Sequence, residues 1–427
     1  MPGCPRSTAT VVFAAIVVAA CSTMPARHQQ PAAPPAAAPA GLTATRVQVP
    51  AELAQQPFDV PRQALVPAGW TMSVWSRMPM ARLAVWTPDG ALLVSAPATG
   101  QVMRLAPRPG GADPQILLDN LIAPHGLAFA GSTLYVAESN HIDAYTYANG
   151  QATARRPIAT GLPDDRSPEL HGAYAHALKS VAIGPDGAIY FSIGSTGNVS
   201  ARDREATPQR ATIMRIPPGG GPYQVFARGV RNGTGLAVAP DGSVWTAVNE
   251  RDNIADPRPG PNYGEVIEDY VNDHPPEALA RLTPGRELGW PYCNPDGGPA
   301  NAGFVRDVET NADGSKLDCA TVPPVEQTLG AHAAPLGMNF ATLPAPFGAG
   351  ALVGVHGSWN REPPCAPEVS FFGWRNGTLG NQQTLVGGFQ AADGSRWGRP
   401  VAATTGPDGA VYITDDYAGA VYRLAPP

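Results

Sequence analysis

The chain has 427 residues, 43% hydrophobic and 15% charged, with 47 glycines and 48 prolines. This composition suits a large, turn-rich globular protein with ample core. Its 29 Lys and Arg stand against 35 Asp and Glu, a formal net charge of −6, so no basic field is available to hold a polyanion and nucleic acid is not expected as a partner.

At the N-terminus, Arg6 supplies a positive charge ahead of TVVFAAIVVAA, which starts at Thr10. That apolar run is too short to span a bilayer and reads as the core of a secretory signal. It ends at Val18-Ala19-Ala20-Cys21, which resembles a bacterial lipobox, with an ordinary secretory signal and a chance cysteine as the other reading. The expectation is a signal peptide over residues 1–20 and a lipidated Cys21 as the mature N-terminus. Ser22, rather than Asp, after the cysteine resembles lipoproteins sent to the outer membrane. The expected location is therefore periplasm-facing, lipid-anchored to the cell envelope at its outer membrane. The Pro/Ala-rich stretch that follows lacks hydrophobic periodicity and reads as a tether over residues 21–45. No later run is long and apolar enough to cross a membrane, so the lipid is the expected membrane contact.

From residue 46 to residue 427 one unit recurs: TPDGALLVS at Thr87, FAGSTLYVAE at Phe129, GPDGAIYFS at Gly184, APDGSVWTA at Ala239, GAGALVGV at Gly348 and GPDGAVYITDD at Gly406. Each is a tight turn running into a short β-branched and aromatic strand. Several are followed by a second strand of similar ending, as in GQVMRL, ATIMRI and GAVYRL, which contain Arg104, Arg215 and Arg423. A unit of this size leaves an apolar face unburied, so the copies must pack on one another. Six copies, roughly 40 to 60 residues apart over most of the chain, predict an all-β fold. The expected architecture is a six-bladed β-propeller with four-stranded antiparallel blades; an open β-sandwich with similar turns is the alternative. The gap between the fourth and fifth copies is the longest and reads as a large insertion over one mouth of the channel. It contains Cys293 and Cys319, which flank an Asn-, Gly- and Asp-rich stretch. An exported chain permits a disulfide, and pairing these two leaves Cys365 free. No Cys/His spacing for zinc is present.

Matching positions in successive blades come round to the same end of the channel. Just before or at the start of the strands lie Arg82, His125, His176, Arg231, His332 and Arg399. This ring of ionisable bases predicts positive potential at one mouth, suited to an anionic ligand. Asn232 follows Arg231 in GVRNGTG, whose glycines let a ligand approach the backbone closely. Glu250, Asp252 and Asp256 are hard oxygen donors in a loop, the kind of group a calcium ion takes. In HGSWNRE, Arg361 can pair with a carboxylate and Trp359 can stack on a planar ring.

AHALKSVAIGPDGAIYFSIGS, ARGVRNGTGLAVAPDG, VNERDNI, GWPYC, AHAAPLGMNF and VHGSWNRE occur in this order. Together they resemble the glucose/sorbosone dehydrogenase family, soluble six-bladed propellers that use pyrroloquinoline quinone (PQQ) and calcium to oxidise sugars; the NERD and GSWNR stretches look most like the L-sorbosone dehydrogenase branch. The resemblance implies a PQQ-dependent oxidoreductase acting on an aldose sugar or a sorbosone-like aldehyde, which passes electrons to an acceptor in the periplasm or respiratory chain. It casts His176 as the base that removes the substrate hydroxyl proton, and Arg231 with Asn232 as the pair on the quinone oxygens. It places Arg361, Arg399, His332, His125 and Trp359 around the cofactor, and calcium beside the loop from Glu250 to Asp256. Ala175 and Ala177 flank His176 where the family often carries an acidic or aromatic neighbour. Two other classes fit a six-bladed propeller: a Ca²⁺-dependent lactonase-type hydrolase and a non-catalytic binding propeller of the envelope.

Overall fold

The computed structural model describes residues 41–427. The expected signal peptide, the lipidation at Cys21 and most of the tether lie outside the described residues. Within them, local turn chemistry sets the repeat. In the Pro-Asp-Gly copies the glycine takes a positive φ, 80° at Gly90, 83° at Gly187 and Gly242, and 76° at Gly409, a conformation that L side chains resist. In three of these turns the preceding aspartate accepts a backbone N–H two residues on: Ala188 to Asp186 at 3.0 Å, Ser243 to Asp241 at 2.9 Å and Ala410 to Asp408 at 3.2 Å. The arginines of the recurrent second segment return to these turns. Arg104 lies 3.1 Å from Asp89, Arg215 3.2 Å from Asp186 and Arg423 2.8 Å from Asp408. These pairs are partly solvated, so each adds little energy; they fix the register between the turn and a neighbouring strand.

Six blade sheets result, antiparallel apart from one short parallel pairing of Ala227 and Arg228 with Arg286 and Glu287 at the edge of the third. Blade 1 consists of Ala84–Trp86, Leu92–Ala96, Gln101–Leu105 and Pro114–Leu118. In every blade the repeat turn joins the first strand to the second, and in blades 1, 3 and 6 the arginine segment is the third strand. The first strands of the other blades are Gly126–Ala130, Val181–Ile183, Gly235–Val238, Pro335–Leu343 and Pro400–Thr405. Each touches the first strand of both neighbours, which closes them into a ring about the channel. Blade 6 takes its outer strand, Thr71–Arg77, from the start of the domain, with Arg77 opposite Ala420 and Thr71 opposite Ala425. This pairing ties the two ends of the domain together and leaves no open edge within the ring. The core lies between blades; between blades 5 and 6, for example, Phe371, Phe389, Val411 and Tyr422 are all fully buried.

Two features depart from the simplest six-fold picture. Leu42–Arg46 pairs with Gln63–Pro67 in a two-stranded ribbon, so the last residues assigned to the tether are ordered strand. The long insertion lies within blade 4, in two pieces. Residues 249–275 separate its second and third strands, and residues 283–324 separate its third and fourth. The second piece adds Cys293–Asp296 and Ala300–Arg306 to the blade's edge, making a six-stranded sheet. It carries the Cys293–Cys319 disulfide, with Cα atoms 5.7 Å apart, while Cys365 is free. Among the described residues no helix is long and apolar enough to cross a membrane.

Candidate functional site at the channel mouth

The six first strands run in the same sense, so the segments that lead into them gather at one end of the channel. His176 enters on the segment before blade 3. Its Nδ1 lies 2.8 Å from Ser195 Oγ and 3.1 Å from the Ser195 carbonyl, which fixes the ring. Among the described residues Nε2 has no protein partner. Burial, reinforced by the nearby Arg231 charge, lowers the imidazole pKa to about 3, so at neutral pH the ring is uncharged with a free nitrogen. The adjoining Gly194 explains how the ring seats so deeply: a Cβ there would meet the His176 carbonyl at 2.6 Å and its Cβ at 2.7 Å. The same Cβ would stand 3.3 Å from Asn232 Oδ1, so Asn232 and His176 flank one point. The Asn232 amide likewise has no protein partner among the described residues.

Arg231 is different. It is 4% exposed, and protein acceptors take most of its donors: the Asn198 carbonyl at 3.2 Å, the Asn198 side chain at 3.0 Å and the Asn249 carbonyl at 3.1 Å. Asp252 lies 3.5 Å from the same guanidinium. Asp252 also lies 3.4 Å from His332 Nδ1 and accepts from Asn360 Nδ2 at 3.1 Å. Burial works to raise the Asp252 pKa, but the His332 and Arg231 contacts outweigh it and hold the group below the usual range. For His332, burial works against the charge, yet Asp252 and the Val271 carbonyl, 2.7 Å from Nε2, raise its pKa. Asp252 therefore gathers Arg231, which leads into blade 4, and His332, which leads into blade 5, around itself.

The remaining ring members divide by charge. His125 is 1% exposed, and burial followed by the Arg82 charge lowers its pKa to about 3. It is thus a neutral wall residue, with Nδ1 3.3 Å from the Lys179 carbonyl and Nε2 unpartnered. Arg82 is bound to Asp416 at 2.7 Å. Arg399 spends only its Nε, on the His356 carbonyl at 3.0 Å, and its terminal nitrogens have no protein partner among the described residues. Arg361 is held loosely, 3.4 Å from the Ala331 carbonyl and 3.5 Å from Asp273, with a buried, unpartnered Nε. Trp359, beside it, is 76% exposed. A flat tricarboxylate needs guanidinium donors that are not already spent. Arg399 and Arg361 meet that condition; Arg231 largely does not. Unpartnered atoms on His176, Asn232, Arg361 and Arg399 at one mouth fit PQQ.

The three acidic residues read as a calcium set do not converge. Asp252 serves the cations just described. Asp256 is paired with Arg258, Oδ2 to Nη2 at 2.7 Å, and that pairing lowers its pKa. Glu250 is buried with Oε1 unpartnered; its backbone N–H donates to Glu277 Oε2 at 2.6 Å. Burial raises the pKa of both glutamates, and Glu277 raises that of Glu250 further, a pairing that a cation would relieve. The sequence reading missed Ser195, Asn198 and Glu277, which position the site. They come from loops and strands whose proximity only the closed ring creates. It also missed Lys179, buried with Nζ 2.8 Å from the Pro163 carbonyl; burial lowers its pKa to about 7.

Comparison with known proteins gives the family and supports the fold. A Borreliella burgdorferi protein described as uncharacterized is 28% identical over 242 residues, covering 55% of this chain and 56% of that protein. A Coprinopsis cinerea pyrroloquinoline quinone-dependent pyranose dehydrogenase is 26% identical over 245 residues, covering 52% of this chain and 31% of that protein. This chain thus spans about half, or less, of the length of these relatives. Among solved structures, the holo PQQ domain of the Coprinopsis cinerea pyranose dehydrogenase superposes with a TM-score of 0.71 at 19% identity, over 85% of this chain and 97% of that one, a likeness of fold. The comparisons do not single out the sorbosone branch. The TrAA12-like family profile matches residues 64–426, nearly the whole propeller, and the chain belongs to that family of PQQ-dependent pyranose dehydrogenase-like propellers.

Proposed function

We propose that this protein is a PQQ-dependent oxidoreductase that oxidises an aldose sugar or a sorbosone-like aldehyde. The observation that carries the reading is His176: neutral, fixed through Nδ1 by Ser195, with no protein partner for Nε2 among the described residues, and packed on Gly194 next to the Asn232 side chain. A base must be unprotonated and within reach of the proton it removes. Bound at this mouth, PQQ would supply the two-electron oxidant. Arg399 and Arg361 would hold its carboxylates, and Asn232 would orient its quinone edge. His176 Nε2 would accept the proton of the substrate hydroxyl. Arg231 acts mainly by holding the loops of Asn198 and Asn249 in place. The exposed Trp359 supplies an apolar face for a planar ring or a sugar.

Calcium belongs to the same proposal. Of the three acidic residues first considered, Glu250 retains an unmet acceptor, and with Glu277 it forms the acid pair best suited to a cation near the site. Lipid anchoring through Cys21, a periplasmic location at the outer membrane and an electron acceptor of the envelope complete the proposal, and rest on the N-terminal sequence. Apoprotein given PQQ and Ca²⁺ is expected to reduce an artificial dye in a sugar-dependent manner. His176→Ala is expected to bind PQQ with little change and to lose turnover by roughly 10²-fold or more. Absence of PQQ binding and of dye reduction refutes the function; a His176→Ala protein with near-normal turnover refutes the assignment of the base.

A further inference from the structure

Blade 2 carries a second cluster of ionisable groups, none of them a member of the ring just described except through the fold they share. Its second strand, Thr133–Ala137, and third strand, Ile142–Ala148, are joined by a short loop, and this hairpin brings Glu138, His141 and Asp143 together. Their ligand-type atoms all lie within 4.8 Å of one another. His141 Nε2 is 2.8 Å from Glu138 Oε1 and 3.3 Å from Asp143 Oδ2. Glu138 and Asp143 are each 1% exposed.

No placement of protons satisfies every close contact of His141. His141 Nδ1 faces the Asn140 side-chain oxygen, and Arg155 Nη2 lies 2.8 Å from Nε2. A proton on Nε2 would serve Glu138 but would point at the N–H of Arg155. Without it, Arg155 is served and Glu138 Oε1 faces a lone pair. Glu138 Oε1 is buried and lies 2.8 Å from His141 Nε2 in a geometry too poor for a hydrogen bond, while its other oxygen accepts the Ile122 N–H. Such an orphaned acceptor is costly in a chain that satisfies its other oxygen. A single cation placed among the three lone pairs removes the conflict, because it replaces both the proton and the guanidinium.

We propose that the Glu138, His141 and Asp143 hairpin is a binding site for a divalent transition-metal ion. The spacing supports this. Ligand atoms around an ion with bonds of ~2.1 Å stand roughly 3.0 to 3.4 Å apart in octahedral or tetrahedral arrangements; the Asp143 contact to His141 Nε2, 3.3 Å, lies in that range, and the Glu138 contact, 2.8 Å, lies just below it. One imidazole with two carboxylates favours zinc or manganese over calcium, which takes oxygen donors. Arg155 occupies the place of the cation through its Nε on Asp143. Its side chain is 55% exposed and can swing into solvent. A cleft of about 650 Å³, lined in part by Asn140, His141, Asp143 and Arg155, opens onto the cluster, so an ion can enter and can complete its shell with water. The site is separate from the PQQ reading and stands whether or not the protein binds quinone.

The test is titration of chelator-treated full-length protein with Zn²⁺ alone, in competition with a chromophoric indicator and without PQQ. One Zn²⁺ is expected per chain, undisturbed by excess Ca²⁺. His141→Ala should weaken binding roughly tenfold or more. Arg155→Ala, a change at an exposed side chain, should tighten it, because the competing cation is gone. His176→Ala should leave it unchanged. Equal Zn²⁺ affinity in the wild type and His141→Ala, displacement by Ca²⁺, or weaker binding in Arg155→Ala would each overturn the proposal. If His141→Ala fails to fold, the direction of the Arg155→Ala effect decides.

Discussion

Asp252 offers the sharpest test of how the channel mouth is held together. Arg231 is buried, and the other carboxylates near it, Glu277 and Glu250, are both pushed towards the neutral form by burial. Asp252 is thus the ionised group that balances the guanidinium, at 3.5 Å. With an effective dielectric constant of about 20, a pair at that distance interacts by roughly 4 to 5 kcal/mol before desolvation is subtracted. Loss of one partner from a buried pair costs about 3 to 5 kcal/mol. The Asp252 side chain is 26% exposed, so the expected loss for Asp252→Asn is discounted to about 2 to 3 kcal/mol. Asparagine keeps the shape and part of the hydrogen bonding, which isolates the charge. The measurement is urea unfolding of the PQQ-free protein for Asp252→Asn, Arg231→Met and the double variant. A coupling energy of roughly 1 to 2 kcal/mol is expected, because the second change removes the uncompensated cation. Additivity within ~0.5 kcal/mol, or a single-variant loss below that, would refute the role given to Asp252.

Other outcomes follow from the same geometry. Gly194→Ala would drive a methyl group into the His176 backbone at 2.6 Å; it should cost about 1 to 3 kcal/mol in unfolding free energy and lower turnover more than PQQ affinity, and unaltered turnover would show that His176 is not seated as described. Each buried histidine should cost stability in mild acid, while Glu250, Glu277 and Asp415, whose pKa values burial raises, let the native state take up protons in the same range and oppose that loss. The pKa values of His125 and His176 are lowered to about 3, and that of His356 to about 4, by burial in each case. At these three sites the unfolded chain therefore binds more protons than the native one as pH falls from about 6.5 towards those values. At pH 5 each histidine costs about 2 kcal/mol. The change in unfolding midpoint between pH 7 and pH 5, compared between the wild type and His125→Gln, isolates one imidazole, and an identical change in both would count against its being neutral. By the same sign, protonation of His176 should not reduce turnover until the pH approaches 4.

The propeller was legible because its signal is local. A Pro-Asp-Gly turn needs only the aspartate acceptor and a glycine at positive φ, and Arg104, Arg215 and Arg423 recur because each answers the aspartate of its own blade. Positions just before the first strands were legible for the same reason, since the repeat fixes the end at which they emerge. What the spacing could not convey is how each charge is spent. Glu250, Asp252 and Asp256 look alike along the chain, yet Asp256 turns to Arg258 two residues on, Asp252 reaches His332 in another blade, and Glu250 meets Glu277. Arg231 is answered by Asn198, 33 residues away, a contact that carries no periodic mark. The Glu138, His141 and Asp143 cluster escaped notice because its Glu-x-x-His-x-Asp pattern is not repeated in the corresponding connections of the other blades.

These differences redistribute the work at the mouth. A cationic ring spread over six blades would hold an anion without preferred orientation. The structure instead leaves His125 and His176 neutral, commits Arg231 and Arg82 to protein carboxylates and carbonyls, and keeps Arg399 and Arg361 with donors to spare. His176 leads into blade 3, and Arg399 leads into blade 6, on the far side of a six-membered ring. A rigid planar tricarboxylate anchored at Arg399 and Arg361 would therefore direct its opposite edge towards Asn232 and the free nitrogen of His176. Orientation then comes from which guanidinium groups are left unspent rather than from the total positive charge, and this is why Asp252, which touches neither substrate nor proton, is expected to matter as much to cofactor placement as the arginine it neutralises.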